Sequence, residues 1–189
     1  INSLTIRVGV WLIQHLNQSR IVVDVADLAS SNRKSVIRIL HVDDDPSILE
    51  ISKQILMDME SSFEIDHACC VDEAFKKLAT VHYDVVISDY EMPKKNGLQF
   101  LKELRGLGKE IPFILFTGKG REEVAVMALN LGAAGYYNKQ GSPETVYGEL
   151  AHSVKSIVAH RKVELELISS DAKFRIYVES SPVAVFVAN

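Results

Sequence analysis

The sequence predicts an α/β protein built on a five-stranded parallel sheet that helices cover on both faces. Three observations lead to this fold class. Five short apolar runs alternate with five helical patterns along the chain. The interior runs are continuously apolar, as strands covered on both faces require. Polar residues follow directly after most of the runs, where the strands of such a sheet end at one edge.

The strands are predicted from short runs rich in β-branched and aromatic residues. The first is largely β-branched, the second alternates between apolar and polar residues, and the last three are mostly apolar. They cover residues 36–42, 63–67, 83–88, 111–116 and 134–138. Right-handed crossovers between parallel strands then bring all five carboxyl ends to one edge of the sheet.

The helices follow from apolar residues spaced three or four apart, and from the residues that begin and end them. Pro46 suits the first turn of a helix, where its missing N–H costs nothing. Gly106 or Gly108 ends the third helix, and Gly132 ends the fourth. The predicted helices cover 47–60, 71–80, 98–104, 122–131 and 145 to about 170.

Composition narrows the class of protein. The chain has 189 residues, enough for one domain with extensions or two small domains. Its content of 47% hydrophobic and 24% charged residues excludes a mainly disordered chain. A net charge of −4 argues against a nucleic-acid partner, and no apolar run reaches the length that crosses a membrane. The only two cysteines are adjacent, which favours a reducing, cytoplasmic setting.

Charged and hydroxyl side chains stand at the ends of four predicted strands. Asp43, Asp44 and Asp45 follow the first strand, Asp89 the third, Thr117 the fourth and Lys139 the fifth. Carboxylates brought this close repel one another unless a cation is present, and oxygen ligands of this kind suit Mg²⁺. Carboxylates, Mg²⁺, lysine and threonine are together the groups needed to transfer a phosphoryl group onto an aspartate.

About 120 residues, from position 36 to 157, resemble the receiver domains of two-component response regulators, which have a flavodoxin-like (βα)5 fold. The resemblance rests on several motifs in the family's order. They are Ile39-Leu-His-Val-Asp-Asp-Asp-Pro46, Val85-Val-Ile-Ser-Asp-Tyr-Glu-Met-Pro93, Asn96-Gly97, Pro112-Phe-Ile-Leu-Phe-Thr-Gly118 and Gly132-Ala-Ala-Gly-Tyr-Tyr-Asn-Lys139.

The resemblance implies a role for each matching residue. Asp89 is expected to be the phosphoacceptor. Asp44 is expected to bind Mg²⁺ directly, with Asp43 acting through water or from behind the direct ligands, and Asp89 and the backbone carbonyl of Glu91 are expected to complete the protein ligands.

The family's switch residues also have counterparts here. Thr117 and Lys139 are expected to bind the phosphoryl group, and Tyr136 matches the aromatic residue that turns inward when the threonine moves. The new charge would then alter the face formed by the fourth helix, the fifth strand and the fifth helix.

One residue departs from the family's pattern, and two others are expected to affect how long the phosphoryl group lasts. Gln140 stands where the family usually has proline, often after a cis bond, so the following loop is expected to differ. In the family that this sequence resembles, the positions of Glu91 and Lys119 affect access of the hydrolytic water, and we expect these two residues to pair and to set the lifetime of the phosphoryl group.

The chain divides into four predicted segments. Residues 1–35 form an N-terminal extension with a short helix, and residues 36–158 form the receiver domain. Residues 159–170 form a helical linker. Residues 171–189 resemble the beginning of a PAS sensor domain, truncated at Asn189 as if the chain were a piece of a longer one.

Partners and alternatives follow from this assignment. The expected partner is a sensor histidine kinase or phosphotransfer protein, with a possible homodimer through the predicted switch face or the C-terminal helix. We expect no enzyme activity beyond self-phosphorylation and self-dephosphorylation, although a longer chain could be a hybrid histidine kinase. The alternatives are a pseudo-receiver that only binds partners and a Mg²⁺-dependent aspartyl-phosphate phosphatase. Asp45-Pro46, with no nearby threonine, argues against the phosphatase.

Overall fold

The predicted fold class is confirmed by a computed structural model, which describes residues 36–118 and 122–180, with side chains as far as Lys173. Five parallel strands form one sheet in the order β2-β1-β3-β4-β5. The strands are β1 (Ile37–Val42), β2 (Phe63–Ala68), β3 (Val85–Ser88), β4 (Phe113–Thr117) and β5 (Gly135–Asn138). The helices are α1 (Pro46–Met59), α2 (Val71–Thr80), α3 (Gly97–Gly106), α4 (Glu122–Asn130) and α5 (Pro143–Ser180).

The sheet separates two apolar cores, because side chains alternate between its faces. On one face Leu40 and Leu115 pack against residues of α2, α3 and α4. On the other face Ile39 and Phe116 pack against α1 and the first part of α5. Since β2 lies on one side of β1 and the later strands lie on the other, the strand order reverses next to β1, which is where open α/β sheets place their sites.

Short polar motifs fix where the first and third helices begin. The Asp45 carboxylate accepts a hydrogen bond from Ser47 N at 2.8 Å, with Pro46 in the first turn as predicted. Asn96 and Gln99 form a reciprocal capping box at the start of α3, with both bonds at 2.9 Å. These caps set the direction of the two loops that follow β1 and β3.

Helix α5 is longer than predicted. It runs for 38 residues and passes through position 170 without a break, so it ends about ten residues later than expected. Its first four turns carry the buried residues Val146, Leu150 and Val154, whereas residues 162–173 are all exposed. Among the described helices, none is long and apolar enough to cross a membrane.

Several predictions fall outside the described residues. They are the helix expected within residues 1–35, the position of Lys119, and the strand expected after position 182 in the PAS-like segment. The boundaries proposed at 158 and 170 both lie inside one continuous helix and stay predictions.

Candidate functional site

Asp43 stands at the carboxyl end of β1, the strand next to the point where the strand order reverses. Its side chain is only 3% exposed. One carboxylate oxygen accepts from the backbone N of Asp45 at 3.0 Å, and the other accepts from Lys139 Nζ at 2.5 Å. Asp43 is therefore a buried carboxylate whose charge is balanced from across the sheet.

Asp89 follows β3, the strand beside β1, and lies against the same ammonium group. Its backbone N donates to Val42 O at 2.8 Å, which joins the two strand ends. Its Oδ1 accepts from Lys139 Nζ at 2.8 Å and its Oδ2 accepts from Glu91 N at 2.7 Å. The side chain is 9% exposed, so one edge of the carboxylate can still be reached.

Lys139 extends from the end of β5 to hold both carboxylates. Its backbone N donates to Thr117 O at 2.8 Å, and its ammonium lies 5.5 Å from the centre of the Phe116 ring. Burial acts to lower the pKa of Lys139, but the hydrogen bonds and charges of Asp43 and Asp89 outweigh it and raise the pKa. The lysine therefore remains a cation between two buried anions.

Burial has the opposite effect on Asp89. It raises the pKa of this carboxyl above its usual value, and the hydrogen bond and charge of Lys139 offset only part of that rise, while the nearby charge of Asp43 adds to it. Asp89 is consequently an anion held at some cost in free energy.

Thr117 and Tyr136 are neighbours of this cluster on β4 and β5. Thr117 is 1% exposed and is paired in register with Asn138. Tyr136 is paired with Leu115 and packs, half buried, against the core on the α2, α3 and α4 side of the sheet. The two predicted switch residues thus lie on adjacent strands at the same end of the sheet.

Asp44 and Glu91 lie at the mouth of the site rather than inside the ion cluster. Both are exposed, and both line a cavity of about 460 Å³ together with Tyr90, Met92 and Asn96. The predicted pairing of Glu91 with Lys119 cannot be placed, because Lys119 lies outside the described residues.

The oxygen groups at this end of the sheet fit a hard divalent cation. One lysine opposes the two buried carboxylates Asp43 and Asp89, which leaves a net negative charge, and Asp44 adds a third carboxylate at the mouth. Mg²⁺ typically uses one or two carboxylates and keeps several waters. Within residues 36–118 and 122–180, no three or more His, Cys, Asp or Glu side chains are already arranged as a complete metal cage.

Three residues matter to the geometry although no site role was predicted for them. A Cβ at Gly97 would lie 2.3 Å from the backbone O of Asp89, so only glycine allows α3 to approach the site. Phe116 supports Lys139, and Gln140 donates from Nε2 to Gly118 O at 3.0 Å. The Asn96-Gly97 motif signalled the first of these, but strand contacts such as that of Phe116 leave no sequence signature.

The loop after β5, where Gln140 stands, begins with a local hydrogen bond. The described residues contain no cis peptide bond, and Gln140 N donates instead to Asn138 Oδ1 at 2.9 Å.

The fold and the polar cluster define a class of protein that comparison with known families identifies. A family model for the response regulator receiver domain matches residues 39–151. The chain therefore belongs to the response regulator receiver domain family of two-component signalling, as the motifs indicated.

Relatives and solved structures agree with this assignment. The alkaline phosphatase synthesis transcriptional regulatory protein PhoP of Bacillus subtilis is 33% identical over 72% of this chain and 53% of its own length. DltR of Streptococcus agalactiae, a transcriptional regulatory protein, is 36% identical over 54% of this chain and 45% of its own. The chain thus spans about half the length of these curated relatives.

Solved receiver domains share the fold over their full length. The response regulator TrrA of Thermotoga maritima, solved in complex with Mg²⁺-BeF, is 34% identical with a TM-score of 0.56, covering 65% of this chain and 99% of that one. The receiver domain of a signal transduction histidine kinase from Syntrophus aciditrophicus is 28% identical with a TM-score of 0.57, covering 66% and 92%.

Proposed function

We propose that this domain accepts a phosphoryl group on Asp89 and relays the change in charge to the helices around β5. The observation that carries the proposal is the single ammonium of Lys139 shared between the buried carboxylates of Asp43 and Asp89. That arrangement provides a nucleophilic oxygen together with a fixed cation to receive the negative charge of the incoming group.

The chemical step is a phosphoryl transfer between two side chains. The P–N bond of a phosphohistidine breaks as a P–O bond to an Asp89 oxygen forms, and the imidazole leaves with the electron pair and takes up a proton. Lys139 stays protonated and faces the transferred oxygens, because the carboxylates beside it raise its pKa. The hydroxyl of Thr117 would donate to another oxygen of the group.

Asp43, Asp44, Asp89 and the carbonyl of Glu91 would hold Mg²⁺ in this site. The cation, when bound, would supply positive charge to phosphoryl oxygens and reduce repulsion among the carboxylates. The burial of Asp43 and the exposure of Asp44 suit unequal roles, with Asp44 the more accessible ligand. Replacing Asp44 by asparagine should weaken Mg²⁺ binding measured by calorimetry.

The phosphoryl donor would be a sensor histidine kinase or a phosphotransfer protein, and the site of action would be the cytoplasm. The domain would not be an enzyme beyond its own phosphorylation and dephosphorylation. Glu91 and Lys119 would set the lifetime of the phosphoryl group. Comparing dephosphorylation of Glu91→Ala, Lys119→Ala and the double variant tests their coupling, and strictly additive effects would refute it.

The signal would leave through Tyr136 and the face formed by α4, β5 and α5, then along α5 into the PAS-like segment. Val126 and Leu129 on α4 and Val163 and Leu167 on α5 expose large apolar side chains, which favours a homodimer through one of these surfaces. A hybrid histidine kinase is a second arrangement for a longer chain, favoured by the similarity to a kinase's receiver domain.

The test is intact-mass measurement after incubation with Mg²⁺ and acetyl phosphate. The wild-type domain should gain one phosphoryl group and Asp89→Asn should gain none. Asp58→Asn, which alters an exposed carboxylate in the last turn of α1, is the matched control and should behave as wild type. An unchanged wild-type mass with several donors would instead favour a pseudo-receiver that only binds partners, and enzymatic hydrolysis of an added aspartyl phosphate would favour a phosphatase.

A further inference from the structure

Two hydrogen bonds join the ends of β4 and β5 at the site, one from Lys139 and one from Gln140. Lys139 N donates to Thr117 O at 2.8 Å as the last link between the two strands. One residue further on, Gln140 Nε2 donates to Gly118 O at 3.0 Å. This second bond connects residues 22 positions apart, so it ties the loop after β5 to the loop after β4.

This second hydrogen bond lies beside two predicted phosphate-binding residues, Thr117 and Lys139. Gly118 directly follows Thr117, and Gln140 directly follows Lys139. The backbone of Gln140 is itself held, because its N donates to Asn138 Oδ1 at 2.9 Å. The side chain of Gln140 therefore extends from a backbone that is itself hydrogen-bonded, and its amide links the two strand ends.

We propose that Gln140 is a positioning residue that fixes the separation between Thr117 and Lys139, so that both reach the same phosphoryl group on Asp89. This inference rests on the proposed function of Asp89. Strand ends beyond the last ladder bond otherwise fray, and small displacements of groups that contact a reacting centre slow the reaction steeply. The hydrogen bond from Gln140 to Gly118 restrains that fraying at the position where the family usually has proline.

The decisive variant is Gln140→Met, which keeps the approximate length of the side chain and removes the amide that donates to Gly118 O. Phosphoryl uptake from acetyl phosphate should slow by about three- to ten-fold, the effect of losing one useful hydrogen bond. Gln54→Met is the matched control, since that exposed glutamine on α1 contacts only Glu50 at a marginal 3.5 Å among the contacts described. Its uptake rate should equal that of the wild type.

A double-mutant cycle separates positioning from general damage. If Gln140 acts by placing Thr117 and Lys139 together, Gln140→Met should slow uptake little or not at all once Thr117→Ala has removed the hydroxyl. Additive losses in the cycle would overturn the inference, because they would mean that Gln140 acts independently of Thr117.

Amide hydrogen exchange tests the same idea without Mg²⁺ or a phosphoryl group. In Gln140→Met the amide of Lys139 should exchange about three- to ten-fold faster than in the wild type, with the unfolding midpoint unchanged. Equal exchange rates in the two proteins would refute the inference. If the wild type takes up no phosphoryl group, the proposed function of Asp89 fails, and this exchange measurement still decides whether Gln140 holds the two strand ends.

Discussion

The ion cluster at the end of the sheet and the distal part of α5 depart from ordinary globular structure in opposite ways. The cluster, formed by Asp43, Asp89 and Lys139, buries three charges within one small volume. The distal part of α5, residues 159–173, leaves large apolar side chains such as Val163 and Leu165 half exposed or more. Folded chains normally do the reverse in both places.

The difference separates what the fold needs from what the function needs. Buried charges add little net stability, because the cost of removing them from water offsets their attraction. Exposed apolar side chains add none until a partner covers them. Departures of this kind are expected where a function requires charge or a partner surface, and both regions belong to the proposed function.

The largest expected effect comes from Lys139→Met, which breaks the ion cluster and leaves two buried carboxylates without a cation. We expect the free energy of unfolding to fall by about 3–5 kcal/mol, measured by urea unfolding in the presence of EDTA. The control is Lys95→Met, which breaks an exposed pair with Glu103 and should cost much less, because solvent screens such a pair. Equal losses in the two variants would show that the cluster is no different from a surface pair.

Gly97→Ala should have the next largest effect, because its methyl carbon would lie 2.3 Å from Asp89 O and 2.7 Å from a Leu115 methyl. Overpacking of this kind costs about 1–3 kcal/mol. It should also displace Asp89 and slow its phosphorylation. Gly148→Ala is the control with the opposite sign, since nothing lies near that position in α5 and alanine should stabilise the helix by about 0.5–1 kcal/mol. A stable, active Gly97→Ala variant would contradict the close approach.

Most of the fold could be predicted from the sequence because its signals are local. Apolar runs, the proline at position 46 and the glycines after α3 and α4 each act within a few residues. The residues of the ion cluster could also be anticipated, because parallel strands bring their carboxyl ends to one edge of the sheet. Asp44 follows Asp43 along the chain and lines the cavity at the mouth of the site, and its role as a metal ligand stays a prediction.

What the sequence could not reveal are contacts between distant positions. The buried ring of His41 in β1 stands edge-on to the ring of His67 in β2, with 6.4 Å between the ring centres. Tyr147 on α5 bonds Ser52 on α1 at 2.8 Å and packs edge-to-face on Phe116. Such pairs depend on how helices dock on the sheet, which no local pattern encodes.

Asp89→Asn should produce a smaller change, and one that increases stability. Burial raises the folded-state pKa of Asp89 above its unfolded value. The stability that this group contributes is therefore greatest below the unfolded pKa and is lost as the pH rises through the folded pKa. The asparagine side chain does not ionise, so the free energy of unfolding of Asp89→Asn should exceed that of the wild type by more at neutral pH than at acidic pH.

The measurement is urea unfolding of both proteins at several pH values between about 4 and 7, without Mg²⁺. Asp58→Asn, which removes an exposed carboxylate in α1, is the matched control for the substitution itself. A variant that becomes less stable than wild type at neutral pH would mean that the bond from Lys139 outweighs the cost of burying Asp89.

The smallest effect is expected at the other region, in the distal part of α5. Leu165→Gln should change the free energy of unfolding of the dilute protein by less than about 0.5 kcal/mol, because that side chain is already half exposed. Leu150→Ala, fifteen residues earlier on the same helix and fully buried, should cost about 2–5 kcal/mol.

Sedimentation at rising protein concentration sharpens the contrast within this helix. If the proposed homodimer forms through the distal part of α5, Leu165→Gln should weaken self-association while leaving the monomer's stability unchanged. Loss of monomer stability in Leu165→Gln would mean that the distal helix packs on its own domain. Unchanged self-association would direct attention to α4, where Val126, Met127 and Leu129 are exposed apolar side chains. The first four turns of α5 would then stabilise the receiver domain, and the distal part of α5 would bind a partner other than a second copy of this chain.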